Sequence, residues 1–311
     1  MRTWTIGIII LFSLAIGSAC AEELVLVAGP REGDLARIGE RIAGMITNDK
    51  LVIRTAPSED DQKSIEALRD GSADLAVVDS LCAYEASLGV GRFSSTKVKG
   101  LTAVAVVGLS VEHFMILTDL AAGGDLTDLQ DKIIYVGPDG GSAGYTARTI
   151  LASTGIGSFS EVGYDWDFST AGELMIDGTI DGAIYQGGVP LDVVSYITSV
   201  MGDHVSFLEV PDDMLAQIRK SWPVWFPFVM PEGTYAGMAR PYKTVAQPIL
   251  LVAAKTLGVK TVRELLDRLF ADENRVLLST PPYPVTESMS PTYCPIRFHP
   301  GAAEYFKEKG Y

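Results

Sequence analysis

Residues 136–152, VGPDGGSAGYTARTILA, put a serine in a glycine-rich turn between an apolar run and a helical pattern. Three chemistries use such a turn: it cradles a nucleotide phosphate, carries a nucleophilic serine, or holds a small anion on backbone N–H groups. A phosphate loop ends in Gly-Lys-Ser/Thr, but here Gly141-Ser142 is followed by Ala143. The dinucleotide fingerprint needs glycines at its first, third and sixth positions, and Gly137, Gly140, Gly141 and Gly144 fall out of step with it. Gly140-Gly141-Ser142-Ala143-Gly144 does fit the Gly-x-Ser-x-Gly nucleophile elbow, so a secreted serine hydrolase using Ser142 is one alternative function. Against it, residues 137–141 separate the strand from Ser142, where an elbow serine follows its strand directly, and no His-Gly-Gly-Gly segment supplies an oxyanion hole. Its one suitably late histidine, His299, precedes Pro300-Gly301 at a helix start and serves as well in a structural role. Anion binding at a helix N-terminus capped by Ser142 explains the same residues without a triad.

Three more segments have the same placement, after a strand and before a helix. They are Ala28-Gly29-Pro30-Arg31 with Gly33 and Asp34, then Asp79-Ser80, then Gln186-Gly187-Gly188-Val189. In open α/β sheets ligands sit beyond the carboxyl ends of the strands, where helix N-termini offer free N–H donors and a partial positive charge. With Gly140, Gly141 and Ser142 these loops are the expected ligand-binding set. Arg31 is the first candidate partner for a carboxylate, which a guanidinium holds in two parallel hydrogen bonds. Tyr185 and Gln186, at a strand end, are placed to read the rest of the ligand. The aromatic group Trp222, Trp225, Phe226 and Phe228, interleaved with Pro223 and Pro227, suits packing better than a pocket wall. His113, His204 and His299 have no paired ligand spacing, so no metal site is expected.

The elements that position these loops are written twice. LVLVAGPREGDLARIGERIAG reads as strand Leu24–Val27, a turn Gly29-Pro30-x-x-Gly33, and a helix with Leu35, Ile38, Ile42, Met45 and Ile46 on one face. The later copy has strand Ile133–Val136, turn Gly137-Pro138-x-x-Gly141, and a helix with Ala143, Ala147, Ile150 and Leu151 on one face. A second echo pairs ALRDGSADLAVVD with LMIDGTIDGAIYQ, each a helix stopped by Asp-Gly and followed by a buried strand. The two echoes keep nearly one offset, Gly29 to Gly137 and Gly71 to Gly178, which predicts two lobes of similar βα units. Residues 101–120 and 244–255, both long and apolar, are expected to cross between them. Lobe I then takes residues 22–118 with 247–311, and lobe II takes residues 119–246. The predicted fold class is α/β and two-lobed, each lobe a mixed sheet flanked by helices, with a ligand cleft between.

Arg2, an apolar run from Ile6 to Ile16 and the small residues Ala19-Cys20-Ala21 read as a signal peptide over residues 1–21. The run is shorter than the roughly 20 residues a membrane span needs. Export to the periplasm is expected, with lipid attachment at Cys20 as the rival to cleavage after Ala21. The net charge of −14 excludes nucleic acid as a partner, because phosphate backbones call for basic surfaces. Cys82 and Cys294 would meet in an oxidising compartment, either as a disulfide or as two buried thiols.

DGSADLAVVDS, DGTIDGAIYQGGVP, MPEGTYAG and FHPGAAEYFKEKG are the strongest marks of a resemblance that runs from Leu24 to Gly310. The chain resembles the TAXI family, the solute-binding receptors of tripartite ATP-independent periplasmic (TRAP) transporters. The resemblance implies two lobes that close on a small organic anion, glutamate-like or a dicarboxylate, and deliver it to a TRAP-type membrane permease. It implies binding without catalysis, no cofactor and a monomer; a receptor for an ABC importer, built on the same plan, is the other alternative. Two loops depart from the family pattern. Asp34 stands where threonine is expected, with Leu35-Ala36 in place of an aromatic pair, and Gly140-Gly141-Ser142-Ala143 lacks one hydroxyl. An acid at position 34 repels a dicarboxylate and favours an amino group.

Overall fold

A computed structural model describes residues 21–138, 141–163, 167–274 and 284–311. The expected leader with Cys20, and Gly140 of the candidate loop, lie outside the described residues.

The first lobe begins with β1 (Glu22–Ala28), α1 (Asp34–Ile46), β2 (Leu51–Ala56), α2 (Asp61–Asp70), β3 (Leu75–Asp79) and α3 (Ser80–Leu88). β1 pairs in parallel with β2 on one side and β3 on the other. Every residue of β3 is buried, which is why LAVVD is apolar without alternation until its last residue. The second copy has β5 (Ile133–Tyr135), α4 (Ser142–Thr154), β6 (Ser160–Val162), α5 (Phe168–Ile176), β7 (Gly182–Gly187) and α6 (Asp192–Met201). Here β5 pairs in parallel with both β6 and β7.

Two long strands join the halves. β4 (Leu101–Leu117) and β10 (Tyr242–Ala254) lie antiparallel to one another, and β10 also pairs with β3 while β4 pairs with β7. The resulting strand order is β2-β1-β3-β10-β4-β7-β5-β6. β8 (Val205–Phe207) lies beside the end of β4, and β9 (Phe226–Met230) beside the start of β10. Near Ser110–Glu112 the neighbours of β4 change from those of one lobe to those of the other, which makes this the waist of the molecule.

Each lobe buries both faces of its sheet. In the first, α1, α8 (Val259–Leu269) and the closing helix Pro300–Glu308 cover one face, and α2 and α3 cover the other. In the second, α4 and α7 (Asp212–Ser221) pack on Phe114, Ile134 and Ile184, while α5 and α6 pack on Tyr135, Ala183 and Tyr185. The α/β, two-lobed class expected from the echo is the class observed.

The repeated turns match in detail. Gly33 and Gly141 each precede a helix in extended conformation, φ −79° and −82°, and neither helix has a side-chain cap. Pro30 O accepts from Gly33 N, as Pro138 O does from Gly141 N. Ser142 is therefore not the N-cap expected from sequence; it is the first helical residue. The small glycine fits the tight Pro-x-x-Gly turn, and the hydroxyl is left to face inward. His299 does cap its helix, its Nδ1 accepting from Gly301 N at 3.1 Å. Cys82 is buried, Cys294 is partly exposed, and both are free thiols.

Candidate functional site

Between the lobes lies a cavity of about 660 Å³, within the usual range for small-molecule sites. Lobe I lends it the start of α1 (Gly33, Asp34, Arg37) and Asp79 at the end of β3. Lobe II lends Gly141 and Ser142, Ser169 of α5, and Gln186–Val189 after β7. The waist of β4 makes the floor with Val107–Val111, and Phe228 and Ile249 add apolar wall.

Ten of the residues expected from sequence border this space: Pro30, Gly33, Asp34, Asp79, Gly141, Ser142, Gln186, Gly187, Gly188 and Val189. Arg31 does not; it is exposed on the turn, and Arg37 and Arg41 on the next helical turns reach the cavity instead. Ala28 and Gly29 are buried behind the turn. Ser80 is also buried, its hydroxyl 3.2 Å from Gln247 Oε1, which accepts at 2.9 Å from Leu81 N too. Tyr185 points into the other face of the sheet, with its ring centroid 5.3 Å from Phe168 and 6.0 Å from Tyr135. Strand alternation sends Gln186 to the cavity and its neighbour away. In the aromatic group, Phe228 lines the cavity, Trp225 is core, Trp222 packs edge-on against Tyr84, and Phe226 stacks on Tyr293.

Four helices start at the cavity, and their N-termini differ. α1 and α6 carry Asp34 and Asp192 in the first turn, and α5 is capped by Asp167 on Thr170 N. α4 has neither an acid in its first turn nor a side-chain cap, so its first N–H groups are the ones left open to an acceptor.

The opposite character gathers under the floor. Asp79 Oδ2 accepts from Gln186 Nε2 at 3.0 Å, across a sequence distance of 107, so the two strand-end residues of the duplicated units meet each other. Asp61 Oδ2 accepts from Asp79 N at 2.9 Å, and the Ser142 hydroxyl faces the same carboxyl group. Glu112, fully buried in β4 opposite Gln186, has no hydrogen-bond partner for either oxygen among the described residues. Burial pushes the Asp79 carboxyl well above the usual carboxylate range; nearby Asp61 adds to this and Arg92 opposes it. Burial raises Asp61 and Glu112 as well, Glu112 with help from Asp79.

A separate contact ties the lobes together behind the cavity. Arg92 Nε donates to buried Glu85 Oε2 at 2.7 Å, and the hydroxyl of Tyr145, on α4, donates to Oε1. The guanidinium carbon lies 4.2 Å from the centroid of the Tyr145 ring.

As for a hydrolase, neither His113 nor His299 has a ring nitrogen to offer Ser142. His113 bonds Val111 O and Tyr235 Oη, and His299 bonds Leu257 O and Gly301 N, while His204 is exposed beyond the end of α6. Among the described residues no three His, Cys, Asp or Glu side chains gather as a metal site. None of the described helices is long and apolar enough to cross a membrane.

Known proteins share this architecture at low identity. XAC2383 from Xanthomonas citri bound to chloride ion is 10% identical, with a TM-score of 0.54 over 92% of this chain and 99% of that one. The same protein bound to ATP gives 10% and 0.53, over 93% and 95%. An ancestral arginine-binding protein bound to arginine gives 11% and 0.46, over 83% and 97%. A family model, the NMT1-like family, matches residues 27–310, nearly the whole chain. On that match this chain belongs to the NMT1-like family, whose fold is that of the two-lobed periplasmic solute-binding proteins.

Proposed function

We propose that this protein is an exported receptor that captures a small carboxylate-bearing solute by lobe closure and delivers it to a membrane permease of the TRAP type. One observation carries the binding role: the equivalent loops of two duplicated units converge on a single cavity and touch there through Asp79 and Gln186. A ligand in that space contacts both lobes and holds them together, which is how binding energy is converted into a shape that a membrane partner recognises. The uncapped start of α4 receives the carboxylate, and Ser142 adds a hydroxyl. Lobe I is taken as residues 22–118 with 247–311, and lobe II as residues 119–246. The choice of permease class rests on the TAXI-like motifs, FHPGAAEYFKEKG above all. A neighbouring gene for a multi-span permease supports it, and one for an ATPase points to an ABC importer.

Micromolar binding corresponds to about −8 kcal/mol, within reach of a few charge-assisted hydrogen bonds in a closed cleft. A ligand present at a hundred times its dissociation constant then stabilises the fold by about 2.7 kcal/mol. For a chain of this size that raises the melting temperature by roughly 5–10 °C. A thermal-shift screen of amino acids, hydroxy acids and dicarboxylates tests the function. At least one member of the set is expected to give such a shift, and a flat response across all of them argues against a carboxylate receptor.

A further inference from the structure

We propose that Tyr235 is a positioning residue for the solute site: its hydroxyl holds the loop between β7 and α6 in the shape that binds. The assignment rests on the receptor function above and adds a residue that lies behind the cavity wall rather than on it.

Gly188, Val189, Pro190 and Leu191 make up that loop, and all of them border the cavity. Leu191 is the N-cap of α6, so its N–H has no acceptor within the helix. It donates instead to Tyr235 Oη at 2.8 Å, across 44 positions of sequence. The same hydroxyl lies 2.8 Å from His113 Nε2, and His113 Nδ1 lies 3.2 Å from Val111 O. A carbonyl only accepts, so Nδ1 carries the ring proton. Burial keeps the ring neutral by pushing it down to about 4, and the Tyr185 carbonyl faces the ring as well. Nε2 then accepts from the Tyr235 hydroxyl, whose oxygen accepts from the Leu191 N–H. The chain of bonds starts at one wall of the cavity, Leu191, and ends at its floor, Val111, passing behind both.

The segment that carries Tyr235 is built to hold it there. Residues 230–237, MPEGTYAG, lead out of β9 into a turn before β10. Gly233 N donates to Met238 O at 2.8 Å, and Met238 N to Tyr235 O at 3.1 Å. Gly233 and Gly237 have φ of +74° and +77°, which glycine adopts without strain. Closed on itself in this way, the turn sends Tyr235 inward. Its side chain is buried, with the ring stacked on Phe207 at 5.6 Å and edge-on to His113 at 5.6 Å. Without the hydroxyl, Leu191 N–H and His113 Nε2 lose this partner while the ring packing stays. The loop then samples other positions, and binding has to order it.

Tyr235→Phe keeps the ring and removes the hydroxyl. Tyr242→Phe is the control, because the bonds of that buried hydroxyl run to Leu208 O at 2.8 Å and Phe114 N at 3.4 Å, neither of them a cavity residue. Titration calorimetry on the whole protein uses the proteinogenic L-amino acids, L-malate, succinate and glutarate as probes. Exchange of the Leu191 amide is followed by NMR in the free protein. Both variants are expected to melt lower than the parent. Only Tyr235→Phe is expected to bind the tightest of these probes at least tenfold more weakly and to exchange the Leu191 amide at least tenfold faster. Unchanged affinity or unchanged Leu191 exchange in Tyr235→Phe, or an equal loss of affinity in Tyr242→Phe, overturns the positioning role and leaves the receptor function standing. If Tyr235→Phe does not fold, the Leu191 amide of the parent decides: protection supports the bond to Tyr235, and exchange at the open-chain rate overturns it. A parent that binds none of the probes overturns both.

Discussion

Removing the side chain of Arg92 strands a buried acid. Glu85 is fully buried, Arg92 is 14% exposed, and the pair closes at 2.7 Å with Tyr145 as third member. Arg92→Ala leaves the Glu85 carboxyl with the tyrosine hydroxyl alone. Breaking one partner of a buried ion pair costs about 3–5 kcal/mol, and loss of the guanidinium over the Tyr145 ring adds about 1 kcal/mol. The expected total is about 4–6 kcal/mol, equivalent to a fall of roughly 8–24 °C in melting temperature for a chain of this length. Urea unfolding followed by circular dichroism measures it directly, as a lower midpoint at unchanged slope. Tyr145→Phe removes only a hydrogen bond to a charged acceptor and is expected to cost about 1.5–3 kcal/mol. Double substitution at Glu85 and Arg92 should cost less than the sum of the singles, because each single change leaves a buried partner behind. A loss below about 1 kcal/mol for Arg92→Ala would refute the claim that buried Glu85 depends on this guanidinium.

His113 is buried, and burial lowers its pKa to about 4, so the native state keeps it neutral while the unfolded chain protonates it near 6.5. Its contribution is complete above pH 6.5 and is lost as the pH falls toward 4, a slope worth up to about 3 kcal/mol that His113→Phe should remove from urea midpoints measured across that range. Gly137 has φ +112°, and a Cβ there would lie 2.7 Å from Gly144 N, so Gly137→Ala is expected to cost about 1–3 kcal/mol and to weaken ligand binding by shifting the start of α4. Thermal melts and calorimetry on the same sample report both effects. Arg37 and Arg41 reach the cavity where Arg31 does not, so Arg41→Ala should slow association with an anionic solute and flatten its salt dependence in stopped-flow traces, with Arg31→Ala changing neither.

The duplicated plan was legible because both copies keep their punctuation: the Pro-x-x-Gly turns, the Asp-Gly helix stops and the long apolar crossing runs are all local signals. The loops of the cavity were legible for the same reason. Arg31 was misplaced because a turn residue's direction depends on backbone geometry; the Pro30–Gly33 hydrogen bond turns it outward. Arg37 and Arg41 were readable in principle, since Asp34, Arg37, Ile38 and Arg41 form an i, i+3, i+4, i+7 stripe on α1. Ser110 and Glu112 also left a trace, as polar residues within the apolar run 101–117, and this was the sign of the waist. The Glu85–Arg92–Tyr145 contact left none. It joins residues up to 60 positions apart with no repeated spacing, and only the folded chain brings them together.

Small-angle X-ray scattering, on the free protein and on the protein saturated with the tightest solute from the screen, addresses lobe closure most directly. A receptor that closes on its ligand gives a smaller radius of gyration and a shorter maximum dimension when loaded. Superimposable profiles at proven saturation would contradict capture between moving lobes.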